Sequence, residues 1–154
     1  MNMTRNRIRI MVPALLASTV VGFTASQASA ATPRCTASRN FVLDKNRPIE
    51  VSIPATSGGV VVCQLSRATA HGYTSYTATM KIQLALSECQ GYSLNTDGLF
   101  GPATESALKS FQSNHGLTAD GIYGPQTAKK LSWMTIVDNG YGANGCANVA
   151  SLIK

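Results

Sequence analysis

Two hydrophobic rhythms divide the chain. Ile49, Val51 and Ile53 alternate with Glu50 and Ser52, the period of a half-buried strand. The turn-forming run at residues 54–59 follows. Val60, Val61 and Val62 then lead through Cys63 to Leu65, a second strand candidate. From residue 79 the period changes. Ile82, Ala85, Leu86 and Cys89 fall at i, i+3, i+4 and i+7, one stripe of a helix that Gly91 stops. Thr104, Ala107, Leu108 and Phe111 repeat that stripe in a second helix, opened by Pro102 and closed by Gly116. Pro125 opens a third, shorter helix through Leu131. The chain beyond Trp133 is rich in Gly and Asn, with a weak strand candidate at residues 135–137. The expected fold is mainly α: three helices over residues 79–132, a β-rich N-terminal arm and linker over 31–78, and a Cys-bearing tail over 133–154.

The two helix entries share a text. TDGLFGPATESAL (residues 96–108) returns 23 residues later as ADGIYGPQTAKKL (residues 119–131). Every shared position has a structural task. Asp97 and Asp120 accept N–H bonds within their own turns, and the following Gly takes a positive φ. Phe100 and Tyr123 fill the space between helices, and Pro fixes φ for the first helical turn. A catalytic carboxylate pair fits poorly, because acid and base must sit in different environments, and identical turns give similar ones. Calcium fits no better. With Asp97 or Asp120 at position 5 of a calcium loop, position 12 falls on Thr104 or Thr127, where a bidentate Glu is required. A third reading combines framework and function: the two turns flank a shallow groove for sugar or peptide.

The N-terminus changes the picture of where the protein works. Arg5, Arg7 and Arg9 precede an apolar run, and Ala28-Ser29-Ala30 supplies small residues. That order is a secretory signal peptide over residues 1–30, cleaved after Ala30. The apolar run is too short for a membrane span, so no membrane association is expected after cleavage. Three arginines leave with the signal, and the formal charge falls from +6 to +3. A mildly basic protein is attracted to an anionic surface such as a bacterial wall. No basic stripe interleaved with aromatics supports a nucleic-acid partner.

Four cysteines remain: Cys35, Cys63, Cys89 and Cys146. In a small exported chain an even count implies two disulfides, with three possible pairings. Zinc ligation needs close Cys or His pairs, and His71 and His115 stand alone. No metal and no cofactor is expected. G-x-S-x-G, H-E-x-x-H and phosphate-loop motifs are missing from the sequence. His115 ends the second helix, where its charge suits the helix dipole.

Taken in order, these elements resemble a known family. Ile82-Gln83 with Leu86, Gly91-Tyr92, Asp97-Gly98, Phe100-Gly101, Thr104, Ala107-Leu108 and Phe111-Gln112 follow the pattern of three-helix peptidoglycan-binding domains. Gly116-Leu117, Asp120-Gly121, Gly124-Pro125, Thr127 and Leu131 complete it. Thr79 departs from the pattern, standing where an apolar residue is usual. The whole layout is similar to small secreted actinobacterial proteins with a Cys-bearing β arm and tail. That similarity implies bonds between Cys35 and Cys63, and between Cys89 and Cys146. The resemblance implies a module that binds cell-wall peptidoglycan, by glycan or stem peptide, and that in the family holds a larger enzyme on the wall. Together with the signal peptide and the missing catalytic motifs, the expectation is an exported, non-enzymatic binder acting as a monomer. Two other functions compete: a small cell-wall hydrolase, and a disulfide-stapled interaction or inhibitor protein on the same fold. The ligand-contact candidates are the turn rims and the neighbouring face of the second helix: Asn95, Asp97, Gln112, His115, Asp120 and Tyr123. Against this, Phe100 and Tyr123 also suit a core, and Gln112 and His115 also suit an ordinary exposed helix face.

Overall fold

The computed structural model describes residues 31–44, 46, 49–70, 72–137 and 143–154. The signal segment and His71 lie outside the described residues. The first hairpin forms earlier in the chain than the alternation suggests. Strand β1 (Ala37–Asp44) pairs antiparallel with β2 (Ile49–Ala55), Phe41 opposite Val51 and Arg39 opposite Ile53. β1 escapes a period-2 reading because its apolar residues do not face inward together. Val42 and Leu43 are both exposed, and the Arg39 guanidinium lies 4.9 Å from the Phe41 ring centroid. β2 is buried on both faces over residues 51–55, Ser52 included, so it is not the half-buried strand its alternation suggests. Pro54 sits beyond Val51, where pairing with the third strand stops, so its missing N–H breaks no ladder there.

The second strand candidate, residues 60–65, is instead a strap. It makes two isolated bridges, Arg34 with Gln64 and Leu65 with Tyr123. The second is a reciprocal pair of backbone bonds: the Leu65 N–H donates to the Tyr123 carbonyl at 2.9 Å, and the Tyr123 N–H returns at 2.8 Å. The strap therefore carries the arm onto the second repeated turn.

Helix α1 (Tyr76–Leu84) starts ahead of residue 79, out of a 3-10 turn at Gly72–Ser75. It runs on through a π-helical turn at Ala85–Cys89. Helix α2 (Pro102–Asn114) and helix α3 (Pro125–Lys130) each begin at the proline of a repeated turn. The apolar stripes point inward as their spacing requires: Ile82, Leu86, Leu108, Phe111 and Leu131 are all buried. At the end of α2 the Leu117 N–H bonds to the Gln112 carbonyl and the Gly116 N–H to the Ser113 carbonyl, the two bonds of a Schellman closure.

The tail corrects the expectation of a mainly α protein. Strands β3 (Ser132–Val137) and β4 (Ala143–Asn148) complete a four-stranded antiparallel sheet in the order β1-β2-β3-β4. Among the described residues the fold is mixed α/β: three helices and one four-stranded sheet. β3 pairs with β2 through Val51 opposite Thr135, and with β4 through Trp133 opposite Ala147. Trp133 and Thr135 turn inward while Met134 does not, which is the period of a strand. Trp133 meets Tyr123 edge-on at 6.1 Å between centroids and donates to the Ala128 carbonyl. Both α1 and its π-helical extension pack against the sheet. Cys35 is bonded to Cys63, and Cys89 to Cys146. The first bond ties the strap to the chain ahead of β1. The second ties the end of the first helix to β4.

Candidate functional site

The two repeated turns are built around a glutamine from the preceding helix. Gln83 is 1% exposed. Its Nε2 lies within donating distance of Asp97 Oδ1 at 2.8 Å, the Leu99 carbonyl at 3.0 Å and Thr104 Oγ1 at 3.1 Å. Its Oε1 accepts the Gly98 N–H at 2.8 Å. Gln112, equally buried, repeats the set one turn later. It reaches Asp120 Oδ1 at 2.8 Å, the Ile122 carbonyl at 3.0 Å and Thr127 Oγ1 at 3.2 Å, and it accepts the Gly121 N–H at 2.9 Å. Each Asp also accepts the N–H two residues on, from Leu99 or Ile122. An amide carries donors and an acceptor on one flat group, so one buried Gln satisfies carboxylate, hydroxyl, carbonyl and N–H together. A helix, its turn and the next helix entry are thereby fixed to one another.

Between each turn and the helix it launches lies a concavity. The first, of about 670 Å³, is lined by Leu94, Asn95, Asp97, Leu99 and Pro102 among others. The second, of about 370 Å³, is lined by Leu117, Thr118, Asp120, Ile122, Pro125 and Gln126, with Gln64 of the strap. Leu99 is 58% exposed and Ile122 39%, so each cleft carries an aliphatic rim above a carboxylate. The flanks differ. At the first turn, a Cβ on Gly98 would overlap the Tyr76 ring, which lies against the turn and is 36% exposed. At the second, Gly121 is covered by the stems of Glu105 and Lys109. Glu105 there bonds Lys109 at 2.8 Å and Arg67 at 3.3 Å.

Asp97 is exposed. The Gln83 hydrogen bond, followed by the Leu99 N–H, holds its carboxyl below the usual range. Lys109, through its hydrogen bond first, does the same for Glu105. Burial pushes the Tyr123 phenol up, and its hydroxyl has no hydrogen-bond partner among the described residues.

The structure brings together only some of the six candidates. Asn95 and Asp97 share the first cleft, and Asp120 lies in the second. Gln112 and Tyr123 do not present the surface that ligand contact requires. Gln112 is the buried clamp of the second turn, and Tyr123 lies under the strap and Trp133. His115 lines neither cleft. It stacks on Phe111 at 4.0 Å between centroids, with Nδ1 2.8 Å from the Phe111 carbonyl. Sequence reasoning missed Gln83, Tyr76, Leu99 and Ile122. For Gln83 a signal exists: a Gln stands in the helix ahead of each Asp-Gly, at 83 and at 112. For Tyr76 none does, because its contact with Gly98 is made only in the folded chain.

Residues 75–131 match the family model described as "Putative peptidoglycan binding domain". The matched stretch contains both Gln clamps and both Asp-Gly turns, and it ends at the residue before β3. Among solved structures, a peptidoglycan-binding protein from Clostridioides difficile, in complex with glutamine hydroxamate, is similar at 23% identity. The match covers 58% of this chain and 53% of that one, with a TM-score of 0.40. The chain thus spans about half the length of that relative. No curated protein matches the chain.

Proposed function

We propose that this protein is exported and binds the peptidoglycan of bacterial cell walls, without enzymatic activity, through the cleft at its first repeated turn. The observation that carries the reading is a coincidence of position. The stretch matched by the peptidoglycan-binding family contains an open cleft with an exposed amide, carboxylate and aliphatic side chain, Asn95, Asp97 and Leu99. Amide and carboxylate suit the hydroxyl and acetamido groups of a glycan and the backbone of a stem peptide. Leu99 and Pro102 offer apolar contact to a sugar face or a peptide methyl group. The charge of +3 expected after signal cleavage favours approach to an anionic wall.

The chemistry of the carboxylates supports a binding role. Asp97 and Asp120 accept the same pair of bonds, from a Gln amide and from the N–H two residues on. Glycoside hydrolysis needs two carboxyls in contrasting surroundings, one of them retaining a proton. Asp97 is held ionised instead. All four cysteines are in disulfides, which leaves no thiolate nucleophile. Two results test the reading. A sacculus suspension should keep its turbidity from about pH 5 to about pH 9, a range spanning the usual acid–base catalysts; clearing would contradict the non-enzymatic assignment. Asn95→Ala combined with Leu99→Ser should lower retention on sacculi by about fivefold or more. Unchanged retention would remove the first cleft from the account.

A further inference from the structure

Strand β1 is one of the two edges of the sheet. Among the described residues, the backbone of residues 38–44 bonds only to β2. Its outer row of N–H and C=O groups has no backbone partner among them. Folded proteins usually blunt such an edge with Lys or Pro, or cover it. β1 reads Ala-Ser-Arg-Asn-Phe-Val-Leu-Asp and has neither residue. It exposes Val42 and Leu43 instead. The opposite edge, β4, carries no charge and no large apolar side chain.

The order of side chains along β1 is self-complementary. The register shift between Val42 and Asp44 leaves Leu43 outside the ladder. Arg39, Phe41 and Asp44 then lie opposite Ile53, Val51 and Ile49, alternate residues of β2, and so share one face of the sheet. The ladder positions run Arg39, Asn40, Phe41, Val42, Asp44, with Phe41 at the centre. A second β1 laid antiparallel about Phe41 brings Arg39 opposite Asp44 at both ends, and Asn40 opposite Val42. Without the shift, Asp44 would face the other side and the charges would not meet. The Arg39 guanidinium is already held on that face: it donates to the Gly59 carbonyl at 3.2 Å and lies over the Phe41 ring. Neither Arg39 nor Asp44 has an ion pair among the described residues.

We propose that β1 pairs antiparallel with the β1 of a second copy of this chain, joining two sheets into one. The interface is isologous, each copy giving the same strand, and its two Arg39–Asp44 pairs fix the register. Opposite charges facing each other across strands favour association, and like charges oppose it. The monomer expected from the sequence leaves this edge bare. No β1 residue lines the first cleft, so the dimer presents two such clefts. On a repeating polymer the second engages at a high effective concentration. That last step, unlike the pairing, rests on the reading of the protein as a peptidoglycan binder.

The test is sedimentation velocity of the secreted, disulfide-bonded protein over a concentration series, with amide exchange read in parallel. The wild type should dimerise as concentration rises, and β1 amides should gain protection with it. Arg39→Asp should weaken the dimer about tenfold or more, because like charges then face each other at both ends. Asp44→Arg should do the same. The two changes combined exchange the charges and should restore association to within about threefold of wild type. A hairpin that was merely destabilised would not be rescued in this way, and the amide spectrum at low concentration verifies each fold. The proposal is overturned by a wild type that stays monomeric up to about 1 mM, or by single reversals that dimerise as well as wild type. A combined variant as weak as the singles, or a dimer without protection of β1, overturns it equally. On sacculi, Asp44→Arg should lower retention about tenfold or more while binding soluble single fragments as wild type does. Equal retention would overturn the bivalent use of the dimer. A dimer that never pellets with sacculi would leave the pairing standing and sink the binding reading.

Discussion

A single side chain explains much of each turn. Gln83 satisfies a buried N–H, a hydroxyl, a carbonyl and a carboxylate. Its loss leaves the Gly98 N–H buried without a partner. Gln83→Ala should lower stability by about 2–4 kcal/mol, the cost of orphaning buried polar groups, measured by urea denaturation. A change below about 0.5 kcal/mol, the range of surface substitutions, would mean the amide is not the clamp. Asp97 gives a pH signature. Its pKa is depressed in the fold, so the unfolded chain takes up the proton first as pH falls. The stabilisation is whole above the unfolded value of about 3.9 and is lost as pH drops through the lower folded value. Asp97→Asn, which keeps the accepting oxygen and removes the charge, should flatten the loss of stability below about pH 4. An identical acid profile in the variant would show that the Gln83 and Leu99 bonds do not favour the charged form. Residues of this kind were only partly legible in the sequence. The two aspartates announce themselves as turn formers beside glycine. The burial of Gln112 does not: it falls at i+8 of the stripe that begins at Thr104, but a Gln there reads as polar surface until the turn eight residues away supplies its hydrogen bonds.

At the scale of elements, the repeat was the most legible feature, because a 3.6-residue stripe and an Asp-Gly-to-Pro entry reinforce each other. The strands were less so. β2 shows its alternation, but β1 exposes adjacent apolar residues, Val42 and Leu43. The Val60–Leu65 run is a strap that reaches the second turn, and among the described residues it is paired only through two isolated bridges at Gln64 and Leu65. The two copies of the turn differ in what covers their glycines, and this difference is measurable. Gly98 and Gly121 have φ of +70° and +73°, so a Cβ costs about 1–2 kcal/mol at either by backbone strain alone. At Gly98 the new atom also meets the Tyr76 ring, whereas at Gly121 it meets flexible stems, Lys109 Cε at 2.8 Å and Glu105 Cγ at 2.9 Å. Gly98→Ala should therefore be the more destabilising, by about 1–3 kcal/mol over Gly121→Ala, the usual cost of overpacking. Adding Tyr76→Ala should recover part of that excess. Equal melting transitions for the two glycine variants would contradict the placement of Tyr76.

At the scale of the molecule, the arm and the tail form one sheet, and the helical domain packs on it. Composition concealed this. Strand β4 reads Ala-Asn-Gly-Cys-Ala-Asn and lacks the branched residues that mark strands, and in β3 the inward-facing Trp133 and Thr135 make a pattern too short to stand out. Residues 133–154 should consequently be indispensable. Deleting them removes β3, β4, Trp133 and the partner of Cys89. The shortened chain should lose its cooperative thermal transition. A truncated protein with an intact, dispersed amide spectrum would show that the helical domain does not depend on the sheet. The central claim, that this fold holds peptidoglycan, is tested most directly by co-sedimentation of the secreted, disulfide-bonded protein with purified sacculi. The account predicts that the protein pellets with the sacculi in a saturable way, and that soluble peptidoglycan fragments release it. Recovery of all the protein in the supernatant, at every sacculus concentration, would contradict it.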